Sequence, residues 1–245
     1  MPQRRTSGRR PPALSTRWPC NAASILTVFS RFNAADPETS AHCLRVALTA
    51  RRICGVMCLA PGEEAAVFWA GLFHDIGKTG VSARIIRKEG ELSGKEFEAV
   101  KLHTERTREI LGRMDWPAPL DGVPEIAGSH HERWDGSGYP RGLAGVQIPL
   151  GARVIAVADY FDALTSRRSY RAPLRPRAVR HLLAAKRGEH FAPAVIDAFL
   201  RGWSVVFRRW PSDFGPPRFL GGGGSYTLRY FRRTASFSRS ACAVP

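Results

Sequence analysis

The chain has 245 residues, enough for one well-filled domain with tails. Its net charge of +16 sits mainly at the ends: residues 1–35 hold six Arg and no acid, residues 201–245 hold eight Arg and one Asp, and the middle is nearly balanced. No stretch approaches the roughly 18 apolar residues of a membrane span. The five cysteines (Cys20, Cys43, Cys54, Cys58 and Cys242) show no disulfide-framework spacing, so a cytoplasmic protein with reduced thiols is expected. The basic ends lack interleaved aromatic motifs, which argues against nucleic acid as a partner.

Residues 1–33 form a basic, mostly irregular segment, with a helix at Ala23–Phe32 leading into the domain. Asp36-Pro37-Glu38 marks a helix start, with proline early and acids in the first turn. Leu44, Val46, Ala47, Leu48, Ile53, Val56 and Met57 then follow an amphipathic helical pattern to about Leu59. Cys54 and Cys58 share its apolar side and read as small core residues. Ala60-Pro61-Gly62 breaks the pattern, and Glu63–Phe73 forms the next helix. A charged loop with short helical potential follows from Val81 to Leu92. Ser93 with Glu96 three residues later makes a capping box, opening a helix that runs to about Met114. Val123–His131 predicts a helix carrying two adjacent His at its end, and residues 135–140 are a loop by composition. Ile148–Ser166, Arg177–Lys186 and Pro193–Leu200 complete a helical set. No alternating strand pattern occurs. The expected fold is all-α, one helical bundle over residues 34–201, with residues 202–245 an irregular basic tail.

Seven residues on these helices suit metal ligation: His42, His74, His103, His130 and His131, with the carboxylates Asp75 and Asp159. Glu38 lies one helical turn before His42 and faces the same way. Imidazoles and carboxylates without a thiolate suit Fe, Mn or Zn. The set exceeds what one ion needs, so two ions are implied. Asp159 sits in the apolar run Val154–Leu164, where an unpaired carboxylate would be costly and a cation is a good partner. Gly77 permits a sharp turn beside the ions, and Lys78 places a positive charge where an anion would sit. Two close ions can hold a bridging hydroxide as nucleophile and clamp phosphoryl oxygens. Lys78 would then stabilise charge on a non-bridging oxygen. The residues alone thus point to phosphoester hydrolysis, with the substrate open. His181 and His190 read as structural.

His74-Asp75-Ile76-Gly77-Lys78, then His130-His131-Glu132-Arg133-Trp134-Asp135-Gly136-Ser137-Gly138-Tyr139-Pro140, Ile148-Pro149-Leu150 and Val157 to Thr165 resemble the HD-GYP branch of the HD-domain phosphohydrolases. The resemblance covers about residues 34 to 201. It implies a bacterial signalling phosphodiesterase with two or three divalent ions, Fe or Mn. The substrate it implies is cyclic di-GMP, opened to pGpG and onward to GMP; some members act on cyclic GMP-AMP. Carried over by position, the metal ligands are His42, His74, Asp75, His103, His130, His131 and Asp159. Asp75 is the bridge, and Glu38 is the carboxylate that permits a third ion. Lys78 and Asp75 carry the catalytic roles; Tyr139, Asp162, Arg168 and Arg171 line the substrate cleft. Arginine suits phosphate as a bidentate donor. The resemblance also admits a homodimer and docking of diguanylate cyclase-type proteins through the GYP loop. Departures from the family pattern are Thr104, Ser169 and Ala192, none of them a ligand. The competing reading is a catalytically silent cyclic di-GMP sensor or docking module, which should have lost ligands; this chain keeps them all.

Overall fold

The computed structural model describes residues 18–19, 22–88, 90–166 and 172–206. They form a helical bundle: α1 (Ala22–Ala35), α2 (Pro37–Val56), α3 (Pro61–Phe73), α4 (Ala83–Ile86), α5 (Gly94–Gly112), α6 (Val123–Gly128), α7 (Leu150–Thr165), α8 (Pro176–Ala185), α9 (Pro193–Arg201) and α10 (Trp203–Val206). A 3-10 turn spans Ile76–Gly80. The extended pairing among the described residues is small: β1 (Trp18–Pro19) runs parallel to β2 (Met114–Asp115), and Arg187 bridges Phe191. The all-α expectation holds. No described helix is long and apolar enough to cross a membrane.

α2 is the axis, packing along α3 and α7 with α1 and α9 against its flanks. Asp36 caps it by accepting the Thr39 N–H at 3.0 Å, so one orphan donor of the first turn is satisfied. Its buried stripe is Cys43, Val46, Ala47, Ala50, Ile53 and Cys54. Small residues set the crossing with α3. A Cβ on Gly71 would stand 3.0 Å from the Ala47 Cα, so the two backbones approach as closely as glycine allows. Fully burying a side chain such as Phe73 contributes about 1.5–3 kcal/mol. On α5 the expected capping box forms: Ser93 Oγ accepts from Glu96 N–H at 3.3 Å, and Glu96 Oε2 accepts from Ser93 N–H at 2.7 Å.

Some boundaries move. α1 is part of the body, because Ile25, Phe29 and Phe32 are buried and the Phe29 ring meets Phe73 at 6.1 Å. The body therefore begins before residue 34. It also runs past residue 201: Val206 is buried and Trp203 packs on Phe199 at 5.4 Å. α2 stops at Val56 because Cys58 takes a left-handed φ of 54°, and Cys58 is exposed where a core residue was expected. α6 ends at Gly128, three residues short of His131. There Ser129 Oγ donates to the Glu125 carbonyl and Ser129 N–H to the Ile126 carbonyl, closing the last turn. The expectations for residues 1–17 and 207–245 lie outside the described residues.

Candidate metal centre

Five elements send side chains to one point. His42 comes from α2, His74 and Asp75 from the exit of α3, His103 from α5, His130 and His131 from the turn after α6, and Asp159 from α7. The ring nitrogens are aimed by a repeated device. His74 Nδ1 donates to the Gly71 carbonyl at 2.8 Å, His103 Nδ1 to Val100 at 2.6 Å and His130 Nδ1 to Ala127 at 2.7 Å. Each acceptor lies three residues back, so the local helical turn holds the proton on Nδ1 and turns the Nε2 lone pair inward. His42 achieves the same with a side chain: its Nδ1 bonds Asp162 Oδ2 at 2.7 Å.

The Nε2 atoms divide between the two oxygens of Asp75. Oδ1 faces His103 at 3.3 Å and His130 at 3.9 Å; Oδ2 faces His74 at 3.4 Å and His42 at 3.8 Å. Two groups of three ligand atoms result, His42 with His74 and Asp75, and His103 with His130 and His131, each within 4.8 Å. Asp159 Oδ1 joins the first at 3.1 Å from His42 Nε2. His74 Nε2 and Asp75 Oδ1 are buried and have no hydrogen-bond partner. Orphaned buried polar atoms are costly and rare in native proteins. A divalent cation would satisfy both, so the residues present fit a metal site.

The electrostatics agree. Burial holds His74, His103 and His130 below the ordinary imidazole value and takes His131 down to about 3. Neutral imidazole is the ligand form. Burial alone would raise Asp75, but Lys78 and the surrounding histidines outweigh it and hold the carboxyl well below its usual range. Burial would also lower His42; the hydrogen bonds and charges of Asp159 and Asp162 outweigh it and lift the ring to about 9.

Lys78 Nζ lies 2.5 Å from Asp75 Oδ2, with a quarter of its side chain exposed. Gly77 has a further reason beyond the turn. A Cβ there would fall 2.1 Å from the His103 carbonyl oxygen and 2.7 Å from the Thr107 nitrogen. The turn thus lies directly on α5, and Thr107 fastens it: its hydroxyl donates to the His74 carbonyl at 2.9 Å and accepts from Gly77 N–H at 3.0 Å.

The loop after His131 folds back over the centre. Buried Glu132 accepts the Arg141 N–H at 2.8 Å and the Leu143 N–H at 3.0 Å. Trp134 and Asp135 N–H groups donate to the His190 and Glu189 carbonyls, tying the loop to the turn before α9. Gly136 has φ 82°, and a Cβ on Gly138 would meet the Arg133 nitrogen at 2.3 Å, so both glycines serve the turn. Tyr139 lies over His131, ring centroids 4.9 Å apart.

Among the expected site residues, Glu38 is exposed in the first turn of α2 and belongs to neither ligand group. Asp162, expected at the substrate, is buried with both oxygens engaged by His42, Arg45 and Ser166. Its observed work is to orient His42. Arg168 and Arg171 lie outside the described residues. Arg45, Thr107 and Glu132 were not singled out by sequence. Their partners are 117, 33 and 9 residues away, so nothing local marks them.

A family model described as "HD domain" matches residues 23–195. A "3'3'-cGAMP-specific phosphodiesterase 2" of Vibrio cholerae is 38% identical over 179 residues, 73% of this chain and 34% of that protein. A "Cyclic di-GMP phosphodiesterase" of Thermotoga maritima is 41% identical over 177 residues, 72% of this chain and 47% of that protein. The chain thus spans a third to a half of the length of these relatives. Among solved structures, an HDG"Y"P protein from Bdellovibrio bacteriovorus aligns with TM-score 0.54 at 18% identity, covering 74% of this chain and 60% of that one. A Listeria monocytogenes phosphodiesterase HD domain solved with cyclic di-AMP aligns at 0.51 and 16% identity, covering 75% of this chain and 98% of that one. These likenesses show a shared helical fold.

Proposed function

Because the chain belongs to the HD-domain family, we propose that its centre holds divalent metal ions and hydrolyses a phosphodiester bond of a cyclic dinucleotide. One observation carries this: a buried carboxylate, Asp75, whose two oxygens divide between two sets of inward-aimed imidazoles. His42, His74, Asp75 and Asp159 would hold one ion; Asp75, His103, His130 and His131 would hold the second. Fe or Mn suits this donor set, and Glu38 is the residue toward a third ion. When bound, the ions supply Lewis-acid polarisation of the phosphoryl group and a nucleophilic water at neutral pH.

The chain's own residues do the rest. Lys78, charged and beside Asp75, meets a non-bridging phosphate oxygen as negative charge builds there. Tyr139, in the folded-back loop, covers the approach to His131. Its hydroxyl stays protonated, because burial and the Asp75 and Asp159 charges raise it above the ordinary phenol value. Arg168 and Arg171 are assigned as phosphate donors in this reading. Water adds across one P–O3′ bond: the oxygen goes to phosphorus, the proton to the departing 3′-oxygen, and linear pGpG is left with a 5′-phosphate. A second round would give GMP.

Cyclic di-GMP is the preferred substrate in this reading. The named activity of the Vibrio relative favours cyclic GMP-AMP as the second. A cytoplasmic setting, a homodimer and docking of diguanylate cyclase-type proteins at the Tyr139 loop belong to the same proposal. Chromatography of products from cyclic di-GMP, cyclic GMP-AMP and cyclic di-AMP, with Mn(II)- or Fe(II)-loaded protein, tests it. Appearance of pGpG at a rate above the other two supports the reading. Binding of cyclic di-GMP without any product would move the assignment to a sensor.

A further inference from the structure

Beyond the metal centre, a row of rings leads outward from it. His103 meets His131 at 5.1 Å, His131 meets Tyr139 at 4.9 Å, and Tyr139 meets Phe97 at 6.3 Å between centroids. Phe97 lies on α5 and is 44% exposed, as is Leu102 at 45% on the same helix; of the two, Phe97 is the aromatic one and the one that meets Tyr139. Lys101, one turn further on, holds its ammonium group 4.8 Å from the Phe97 centroid and 5.6 Å from that of Tyr139. Its other partner is Glu98 at 2.7 Å, itself 68% exposed, and such a surface pair is easily exchanged. An exposed aromatic with a cation over it, one ring away from a phosphodiester centre, has the makings of a base subsite. Aromatic faces accept any nucleobase by stacking. The edge contact discriminates. Lysine only donates, guanine offers two adjacent acceptors at O6 and N7, and adenine pairs its N7 acceptor with an N6 donor.

We propose that Phe97, Lys101 and Tyr139 form a purine subsite at the mouth of the centre that selects guanine over adenine. The inference rests on the cyclic dinucleotide reading above and adds what chooses the base. Phe97 supplies the stacking face and Lys101 the donor to the base edge. Tyr139 joins the subsite to His131.

The test measures both equilibrium binding and kcat/KM for cyclic di-GMP and cyclic di-AMP, on the parent, Phe97→Ala, Phe97→Tyr, Lys101→Met and Lys101→Arg. Lys101→Met should cut the guanine-over-adenine ratio by about tenfold, and Lys101→Arg, which still donates to O6 and N7, should restore it. Phe97→Ala should weaken both ligands by about tenfold through KM, and Phe97→Tyr should recover. Phe97 is exposed, so its truncation leaves the core intact. A parent that binds cyclic di-GMP without turnover defeats the enzymatic reading but leaves the subsite to be judged on binding ratios. A ratio unmoved in Lys101→Met overturns the subsite while leaving hydrolysis intact. A parent that binds neither ligand also overturns it.

Discussion

At the scale of single residues, the imidazole–carboxylate cluster depends on groups that stand outside it. Asp162 holds the His42 ring through Nδ1 and is itself clamped by Arg45 at 2.7 and 3.0 Å. Outer partners of ligating histidines typically matter 10–100-fold in metal affinity. Asp162→Ala should therefore weaken Mn(II) binding by roughly that factor in a competition titration; unchanged affinity would deny the positioning role. Gly77 offers a second case. Its neighbours within 3 Å of an added Cβ include backbone atoms of α5, which cannot swing away. Gly77→Ala should lower stability by about 1–3 kcal/mol, as overpacking does. It should also displace His103, reducing metal content measured by mass spectrometry. Wild-type melting with full metal content would contradict the close approach. That these His and Asp residues would cluster was legible in sequence, because they recur at the ends and faces of amphipathic segments. Asp162 was legible only as a motif member. Its real partner lies 120 residues earlier, and no periodicity joins them.

Elements place these residues, and their ends decide the geometry more than their middles. Turns after α3 and α6 carry three of the five histidines, because a chain leaving a helix can present adjacent side chains to one point. The Ser93–Glu96 cap and the Pro37 start were readable because capping chemistry is local. The true end of α6 was not, since a serine hydroxyl and a 3-10 bond close it. α1 was read as a lead-in segment. Only the buried contacts of Phe29 and Phe32 reveal it as part of the core. The α8–α9 turn carries a testable pH response. Burial, then Arg133 and Lys186, lower His190 to about 4. An imidazole with a folded pKa below its unfolded value binds its proton preferentially in the unfolded chain, so its contribution is intact above about 6.5 and lost as pH falls toward 4. Urea midpoints should fall across that window, and His190→Gln should flatten part of the slope. Equal slopes in parent and variant would rule out the assignment.

For the whole molecule, the centre is where distant parts of the chain are joined. α2, α3, α5, α7 and the turn after α6 each contribute to it, so a bound ion would add a further link between elements already joined by the core and by the Asp162 and Thr107 hydrogen bonds. Ligand that binds only the folded state stabilises by about 2.7 kcal/mol at a hundred times its Kd. At about 2–4 °C per kcal/mol for a domain of this size, Mn(II) should raise the melting temperature by roughly 5–10 °C and chelator should reverse it. No shift would mean that the ligands are not assembled. The overall fold class was legible because the long helices carry their own apolar period and no alternating strand pattern competes with it. The outer ring row was not, because Phe97 reads as one more apolar position on α5 until its exposure is seen. The most direct measurement follows cyclic di-GMP turnover and metal content together, in the anaerobically Fe(II)- or Mn(II)-loaded parent and in Asp75→Ala. The account predicts about two or more ions per chain and pGpG from the parent, with both metal and turnover lost in the variant. Turnover that survives the loss of Asp75 would contradict it.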